Sequence, residues 1–103
     1  MGARENKVEK YLRDELKKLG GDSRKWVSPG RDGVPDQICF VFNRNFFCEV
    51  KTDDGVLSTA QVREHERLRA LGATVCTVWG QRGVNLLIQD LIKYSWPLGG
   101  KYG

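Results

Sequence analysis

The strongest constraint on the fold is a pair of apolar runs, QICFVF (residues 37–42) and FFCEVK (residues 46–51), separated by the polar stretch NRN. β-Branched and aromatic residues joined by a short polar connection predict a β-hairpin. Both runs carry apolar residues on both faces, which is typical of strands that are covered on two sides. The hairpin is therefore expected to lie in the middle of a sheet flanked by helices.

Two segments with helical periodicity flank the hairpin. The first, residues 4–21, has an apolar stripe along one face and ends at a pair of glycines, which commonly terminate helices. The second, residues 57–72, opens with the capping-box pattern Ser58-x-x-Gln61 and ends at a glycine. Their inward faces are expected to carry Val8, Leu12, Leu16 and Leu19 in the first helix, and Val62, Leu68 and Leu71 in the second.

Four shorter segments complete the predicted elements. KWVS (residues 25–28) is expected to be a short strand, and SPGRDGVPD (residues 28–36) is expected to be a loop because of its glycines and prolines. ATVCTVWG (residues 73–80) is predicted to be a buried strand, reached from the hairpin by a parallel crossover. GVNLLIQDLIKY (residues 83–94) predicts a last amphipathic helix.

The resulting order, α-β-β-β-α-β-α, predicts an α/β fold in which helices flank a mixed β-sheet. It is expected to form one domain over residues 1–103, with a frayed tail at residues 95–103. No apolar run approaches the roughly 20 residues that a membrane span needs, and no signal peptide opens the chain. The chain is therefore expected to be intracellular, in the cytoplasm.

Cysteine and histidine chemistry is not indicated. Cys39, Cys48 and Cys76 lie singly in apolar runs, without the close spacing of a zinc site, and are expected to be buried and reduced. His65 is the only histidine and is flanked by charged residues, so we expect it to be solvated on its helix. A single histidine excludes His-rich metal sites.

Charged residues interrupt the second hairpin strand. Glu49 and Lys51 point to the same face because strand side chains alternate, and the hairpin brings Asp36 close to them. A pair of carboxylates with a lysine predicts a divalent-cation site, because hard cations such as Mg²⁺ use one or two carboxylates and leave other positions to water and phosphate. The alternative is a cross-strand ion pair at the end of the sheet.

The first helix adds two acids near its apolar stripe. Glu5 lies close to the centre of the stripe and Glu9 at its edge, so both are expected to face inward. Glu5 could instead stabilise the helix by offsetting the positive N-terminal end of the macrodipole, since it lies in the first turn.

A net charge of +4 is a weak indication of a polyanionic partner. Basic residues near the predicted site could contact DNA phosphates, although a single basic residue is more often simply a solvated charge. Trp26, Trp79 and Trp96 are expected to pack in the core or at a subunit interface. The candidate DNA-binding residues are Arg24, Lys25, Arg31, Arg44, Arg63 and Arg67, with Arg69 beside them.

With these residues in place, the sequence resembles a known family. Asp36, Glu49 and Lys51 match the PD-(D/E)xK nuclease signature. The fuller pattern SPGRDGVPD…FFCEVKT…LSTAQVREHERLRALGATV is similar to the virus-type replication-repair nuclease (VRR-Nuc) family over about residues 5–79. One departure is Gln37, since many members carry a basic residue there; another is the acid of Arg31-Asp32 in the loop.

The resemblance implies a restriction-endonuclease-like core and a role for each matching residue. Asp36, Glu49 and the backbone carbonyl of Val50 would bind Mg²⁺ or Mn²⁺. Glu5 is favoured to complete the site from the first helix, with Glu9 as the alternative. Lys51 would position the attacking water, and Gln61 would be a further polar residue of the active site.

The resemblance also implies the activity. Small members of the family, many of them phage-encoded, resemble Holliday junction resolvases that act as homodimers, so we expect a metal-dependent endonuclease for four-way DNA junctions. The alternatives are a flap, nicking or restriction-like nuclease and a non-catalytic basic module that binds nucleic acid. A two-fold dimer would supply the pair of sites that two symmetric nicks need. Candidate dimer residues lie in the last helix and tail: Leu86, Leu87, Leu91, Ile92 and Trp96.

Overall fold

The N-terminal segment forms helix α1 (Ala3–Lys18) in the computed structural model, which describes residues 3–103. Its stripe is confirmed: Val8, Leu12 and Leu16 are buried against the sheet. Gly20 follows with a φ of 82°, the left-handed conformation that ends many helices.

Five strands form one mixed sheet in the order β1-β2-β3-β4-β5. The first three pair antiparallel, whereas β3 pairs with β4, and β4 with β5, in parallel. The predicted mixed sheet with flanking helices is therefore confirmed. The strands are β1 (Asp22–Lys25), β2 (Gln37–Val41), β3 (Arg44–Lys51), β4 (Val75–Trp79) and β5 (Lys101–Tyr102).

The helices cover the two faces of the sheet unequally. Helices α1 and α3 (Gly80–Tyr94) pack against each other and against the face that carries Cys48 and Val50. Helix α2 (Thr59–Ala70) crosses between β3 and β4 on the opposite face, where Glu49 points. The sheet thus separates an apolar core on one side from a polar layer on the other.

The second helix buries a different face from the one predicted. Its capping box is confirmed, since Ser58 and Gln61 exchange hydrogen bonds of 2.9 and 3.1 Å. Val62 and Leu71, however, are 39% and 85% exposed, and the buried residues are Glu64 and His65. The rotation of α2 follows from its polar contacts with Glu49, described below, rather than from apolar residues.

The hairpin turn and the first strand are each displaced from the prediction. The turn consists of Phe42 and Asn43, both with positive φ, so that Arg44 already pairs with Val41 in the sheet. Two positive φ angles match the twist of a tight hairpin, and asparagine tolerates them well. Strand β1 includes only Lys25 of the predicted KWVS segment, because its pairing with β2 ends there.

Strand β2, which lies between β1 and β3, is fully covered on one face only. Phe40 lies on the same face as Glu49, but α2 does not extend over β2, and Phe40 is 42% exposed; the expectation of cover on both sides is therefore wrong for this strand. It holds for β3, whose Cys48, Glu49 and Val50 are all buried.

The C-terminal residues, expected to fray, form β5. The hydroxyl of Tyr102 donates to Asp90 over 2.6 Å and accepts a hydrogen bond from the amide of Gly99. The amide of Thr77 donates to the Gly100 carbonyl. Edge pairing and a buried tyrosine therefore hold this segment against β4.

Candidate active site

Asp36 and Glu49 meet at the end of β3, as the sequence predicted. The loop before β2 delivers Asp36, whose Oδ2 accepts a hydrogen bond of 3.0 Å from the amide of Val50. Its carbonyl accepts from the amide of Trp26. The carboxyl groups of Asp36 and Glu49 are in hydrogen-bonding contact with each other. Glu49 itself is buried beneath α2.

The carboxyl groups of Asp36 and Glu49 lie close together in a poorly solvated part of the structure. Burial, followed by the hydrogen bond and charge of Glu49, raises the pKa of Asp36 from 3.8 to about 7. Burial also raises the pKa of Glu49, although Lys51 opposes the rise. One proton is therefore retained by the pair near neutral pH, and a cation that binds there displaces it.

Gln61 connects the cap of α2 to this site. Its side-chain oxygen accepts from the Ser58 amide at 2.9 Å, and its Nε2 donates to Oε2 of Glu49 at 3.2 Å. A glutamate would complete the capping box equally well. Only an amide can accept at the cap and also donate to a carboxylate, which explains why this position is glutamine.

We expect Gln61→Glu to separate these two tasks. The cap should survive, so helix content and α2 stability should change little. The new carboxylate would face Glu49 and should weaken Mg²⁺ binding by about 10-fold or more. Circular dichroism and calorimetric titration with MgCl₂ measure the two effects. Ser58→Ala is the matched control: it weakens the cap while leaving the amide of Gln61 opposite Glu49.

His65 is part of the same layer, and the prediction that it is solvated is wrong. It is 1% exposed, and its Nε2 lies 3.6 Å from Oε1 of Glu49. Burial, and secondarily the charge of Arg69, lower its pKa, so the ring is neutral at pH 7. The flanking charges suggested a solvated residue, but the spacing of Gln61 and His65 at i and i+4 is the signal that places them on one helix face.

Lys51 lies half-buried on the face of Glu49, two residues beyond it. The chain folds back over its stem at Gly55, where a side chain would come within 3.2 Å of the lysine's methylene groups. The indole of Trp79, the neighbour of Lys51 in β4, donates to the Gly55 carbonyl at 2.8 Å and fixes this loop. The stem of Lys51 is thereby confined, and its charge is close enough to Glu49 to oppose the rise in the pKa of that group.

Both glutamates of α1 act on Glu49, but their burial is the reverse of the prediction. Glu9 is buried, accepting hydrogen bonds from Gln37 at 3.0 Å and from Lys25 at 3.4 Å. Glu5 is only half-buried because it lies in the first turn, at the edge of the packed region. The charge of Glu5 nevertheless has a larger effect on the pKa of Glu49 than that of Glu9.

These groups fit a hard divalent cation. No three His, Cys, Asp or Glu side chains converge as a ready-made metal cage within residues 3–103. Mg²⁺ and Mn²⁺ need no such cage, because water and phosphate complete their coordination. Glu49 Oε1 is buried without a hydrogen bond among the described residues, and Asp36 retains a proton that a cation would replace. The donor set is unlike that of zinc, which prefers thiolate and imidazole.

The candidate DNA-binding residues fall into three places. Arg31, Arg63 and Arg67 line one cleft between the loop before Asp36 and α2, and Glu64 pairs with both Arg31 and Arg67 at 3.2 Å. Arg24 and Lys25 lie on β1, paired with Asp22 and Glu9. Arg44 lies at the opposite end of β3 from Lys51, with its guanidinium 3.5 Å from the ring centre of Trp96.

The loop that carries Asp36 approaches α2 closely at Gly33. A side chain there would come within 2.3 Å of the Ala60 carbonyl, whereas a side chain at Gly30 meets nothing within 4 Å. Both glycines have φ near 80°. Left-handed backbone strain alone costs roughly 1–2 kcal/mol for a residue with a side chain. Alanine substitutions at Gly30 and Gly33 therefore distinguish the cost of this strain from the cost of a collision with α2.

We expect Gly30→Ala to lower the free energy of unfolding by roughly 1 kcal/mol. Gly33→Ala should cost about 2 kcal/mol more, because the loop must move away from α2 and carry Asp36 with it. Urea denaturation of both variants measures the difference. Equal losses would show that the loop does not depend on this contact.

The raised pKa of Asp36 makes the stability of the metal-free protein depend on pH. Because the folded chain holds this proton more tightly than the unfolded chain, the contribution is complete below about pH 4 and is lost as pH rises through about 7. We expect wild type to lose roughly 1–2 kcal/mol relative to Asp36→Asn between pH 5 and pH 8, a figure reduced because Asp36 is partly exposed.

Comparing the two proteins by urea denaturation in EDTA isolates this contribution. His65, whose pKa is lowered, changes stability in the opposite direction but does so in both proteins. A constant difference across the pH range would mean that Asp36 carries no excess proton.

The fold and this arrangement of carboxylates and lysine define a restriction-endonuclease-like protein. The chain is 33% identical to a solved "VRR_NUC domain", covering 92% of this chain and 100% of that one, with a TM-score of 0.76. It is 43% identical over 79 residues to "Putative nuclease p44" of Acyrthosiphon pisum secondary endosymbiont phage 1, covering 76% of this chain and 85% of that protein.

This chain belongs to the VRR-Nuc family of nucleases, as its motifs predicted. Hjc of Archaeoglobus fulgidus, a Holliday junction resolvase, shares the fold with a TM-score of 0.55 and 22% identity over 73% of this chain and 67% of that one. No protein-family model matches the sequence. No helix within residues 3–103 has the length and apolar character to cross a bilayer.

Proposed function

We propose that this chain is a divalent-metal-dependent endonuclease that hydrolyses phosphodiester bonds in branched DNA and resolves four-way junctions as a homodimer. The observation that carries the proposal is the convergence of Asp36 and Glu49 at the end of β3, with Lys51 on the same face. Membership of a nuclease family gives this arrangement its chemistry.

The cation would be held by Asp36, Glu49 and the backbone carbonyl of Val50. When bound, Mg²⁺ or Mn²⁺ neutralises charge on the phosphate and makes a bound water more acidic. The protein contributes orientation: the Val50 amide fixes Asp36, and Gln61 fixes Glu49. Glu5 and Glu9, on α1, add negative charge near Glu49, and this charge favours binding of a cation at the carboxyl pair.

Lys51 supplies a positive charge that can hydrogen-bond to the attacking water or the reacting phosphate. Its stem is packed against Gly55 before DNA binds. DNA binding therefore does not need to order the ammonium group. Its role would be to stabilise the developing negative charge on phosphate oxygens without donating its proton.

The DNA surface lies beside this site, on the α2 side. The cleft lined by Arg31, Arg63 and Arg67 offers three cations next to the loop that carries Asp36. Lys25 is also close enough to lower the pKa of Asp36. Contacts of this kind bind the phosphate backbone without reading bases, so recognition would depend on DNA shape and weaken with salt. Arg44 is not part of this surface.

Two symmetric nicks need two active sites, which a two-fold dimer provides. The surface predicted for this role needs correction, since Leu87 and Leu91 are fully buried within the chain. Ile92 is exposed and remains a candidate, and we add Tyr94 and Leu98, which are also exposed near that end of α3. We also propose that this chain is encoded by a phage or prophage and acts on DNA in the cytoplasm of the host, a proposal supported by its similarity to p44 of a phage.

The test is cleavage of labelled four-way junction, flap and matched duplex, with Mg²⁺ or Mn²⁺ and then with EDTA. Paired nicks in the junction alone support the proposal, together with a dimer in sedimentation at micromolar concentration. Cutting of flaps or duplex by a monomer favours the nicking or restriction-like alternative. Slowed migration of DNA without cutting, in either metal, identifies a non-catalytic binding module.

A further inference from the structure

Three buried polar atoms without partners lie behind the carboxyl pair. They are Oε1 of Glu49, Nε2 of His65 and Oγ1 of Thr77, and none has a hydrogen bond within residues 3–103. Thr77 is the register neighbour of Glu49 in β4, so the two side chains share the face that α2 covers. His65 projects into this layer from α2, with its Nε2 3.6 Å from Oε1 of Glu49.

Packing alone does not account for buried polar atoms that make no hydrogen bonds. Leucine at position 65 and valine at position 77 would fill similar volumes and remove two of the three unsatisfied polar atoms, a change that is often neutral or stabilising. Apolar residues were available for packing, yet α2 turns Val62 and Leu71 to solvent and His65 inward. Packing therefore does not explain this polar layer.

Glu49 is flanked on both sides by side chains from one helix face. Gln61 donates to Oε2 at 3.2 Å, and His65, one turn later, presents Nε2 to Oε1. Carboxylates that bind metals are commonly oriented by hydrogen bonds from groups behind them, which fix the lone pairs that face the cation. The capping box at Ser58 fixes where α2 starts, and therefore where the side chains of Gln61 and His65 lie.

We propose that His65 is a positioning residue that, with Thr77 beside it, holds the Glu49 carboxylate in the orientation that binds the divalent cation. The inference rests on the proposed function, because it requires that Glu49 be a metal ligand. It assigns His65 no contact with DNA and no part in proton transfer to the substrate. Its effect is on cation affinity, through Glu49.

Calorimetric titration with MgCl₂ and MnCl₂, without DNA, tests the proposal. His65→Leu should weaken cation binding about 10-fold or more, and Thr77→Val by less. His65→Gln can place an amide donor toward Glu49 and should restore most of the affinity. Ser23→Ala is the matched control, since it removes a buried hydroxyl without a partner on the opposite face of the sheet. Thermal unfolding of each variant reports folding separately.

The outcomes separate the two proposals. If wild type binds neither cation, the metal-dependent nuclease and the role of His65 both fail. If wild type binds and His65→Leu, still folded, binds equally well, the nuclease proposal stands and the inference is overturned. A lowered unfolding temperature with unchanged cation affinity would make His65 a structural residue only.

A measurement on the unaltered protein covers the case in which His65→Leu does not fold. Because His65 is the only histidine in the chain, its two ring nitrogens give unambiguous ¹⁵N resonances. In the Mg²⁺-bound protein at pH 8 we expect the tautomer with hydrogen on Nε2, and a shift of that resonance when Mg²⁺ is added. Hydrogen on Nδ1 alone would overturn the proposal, since Nε2 could then not donate to Glu49.

Discussion

Asp36→Asn is expected to abolish cleavage, by about 10³-fold or more, while the protein stays folded. Asparagine keeps the shape of the side chain and an oxygen that can accept from the Val50 amide, so the loop should remain in place. It removes one of the two negative charges that would hold the cation. A metal ion supplies several kcal/mol of transition-state stabilisation, and each 1.36 kcal/mol is about a factor of ten in rate.

Single-turnover cleavage of a labelled four-way junction at saturating protein measures this effect. Asp32→Asn is the matched control: it makes the same change of charge in the same loop but lies exposed at the basic cleft. It should leave the cleavage rate within about twofold and strengthen DNA binding slightly, since it removes a negative charge beside Arg31 and Arg63. Equal losses in both variants would show that the loop acts through DNA binding alone.

The convergence at this site could be predicted because it depends on local rules. Alternation along a strand fixes Glu49 and Lys51 on one face, and a tight hairpin brings Asp36 to the same end of the sheet. The Ser58 and Gln61 cap fixes where α2 begins. Each inference involves neighbours in sequence or directly paired strands, so an error of one residue in the turn did not disturb it.

The environment of the site could not be predicted in the same way, because it depends on the rotation of helices against the sheet. Apolar residues usually determine that rotation, and Val62 and Leu71 indicated the wrong face of α2. The observed face is selected by the hydrogen bond of Gln61 to Glu49 and by the pairing of Glu64 with Arg31. Polar contacts between distant segments leave little periodicity in the sequence.

The same reasoning explains Glu9 and the C-terminal strand. Glu9 is buried because Gln37 and Lys25 meet it there, and neither partner is predictable from the helix alone. The tail is ordered by Tyr102 and Asp90, which are twelve residues apart and joined through a helix end. A segment rich in glycine is expected to fray only when nothing outside it supplies such a partner.

Lys51→Met is expected to lower the cleavage rate by about 10²–10³-fold without weakening cation binding. Methionine retains the unbranched stem that packs beneath Gly55, so the loop anchored by Trp79 should not move. The loss would then be that of the ammonium alone. Because the charge of Lys51 lowers the pKa of Glu49, removing it should also shift the pH dependence of cleavage toward higher pH.

Measuring the rate and the Mg²⁺ affinity on the same preparation distinguishes this role from that of Asp36. Asp36→Asn should lose both, whereas Lys51→Met should lose the rate alone, since a lysine does not ligate Mg²⁺ and its removal takes one repelling charge away from the cation. Lys101→Met, the same substitution at an exposed position of β5, should alter neither quantity. A normal rate in Lys51→Met would mean that the carboxylates and cation suffice for hydrolysis, and that the lysine is retained to balance the charge of the carboxyl pair.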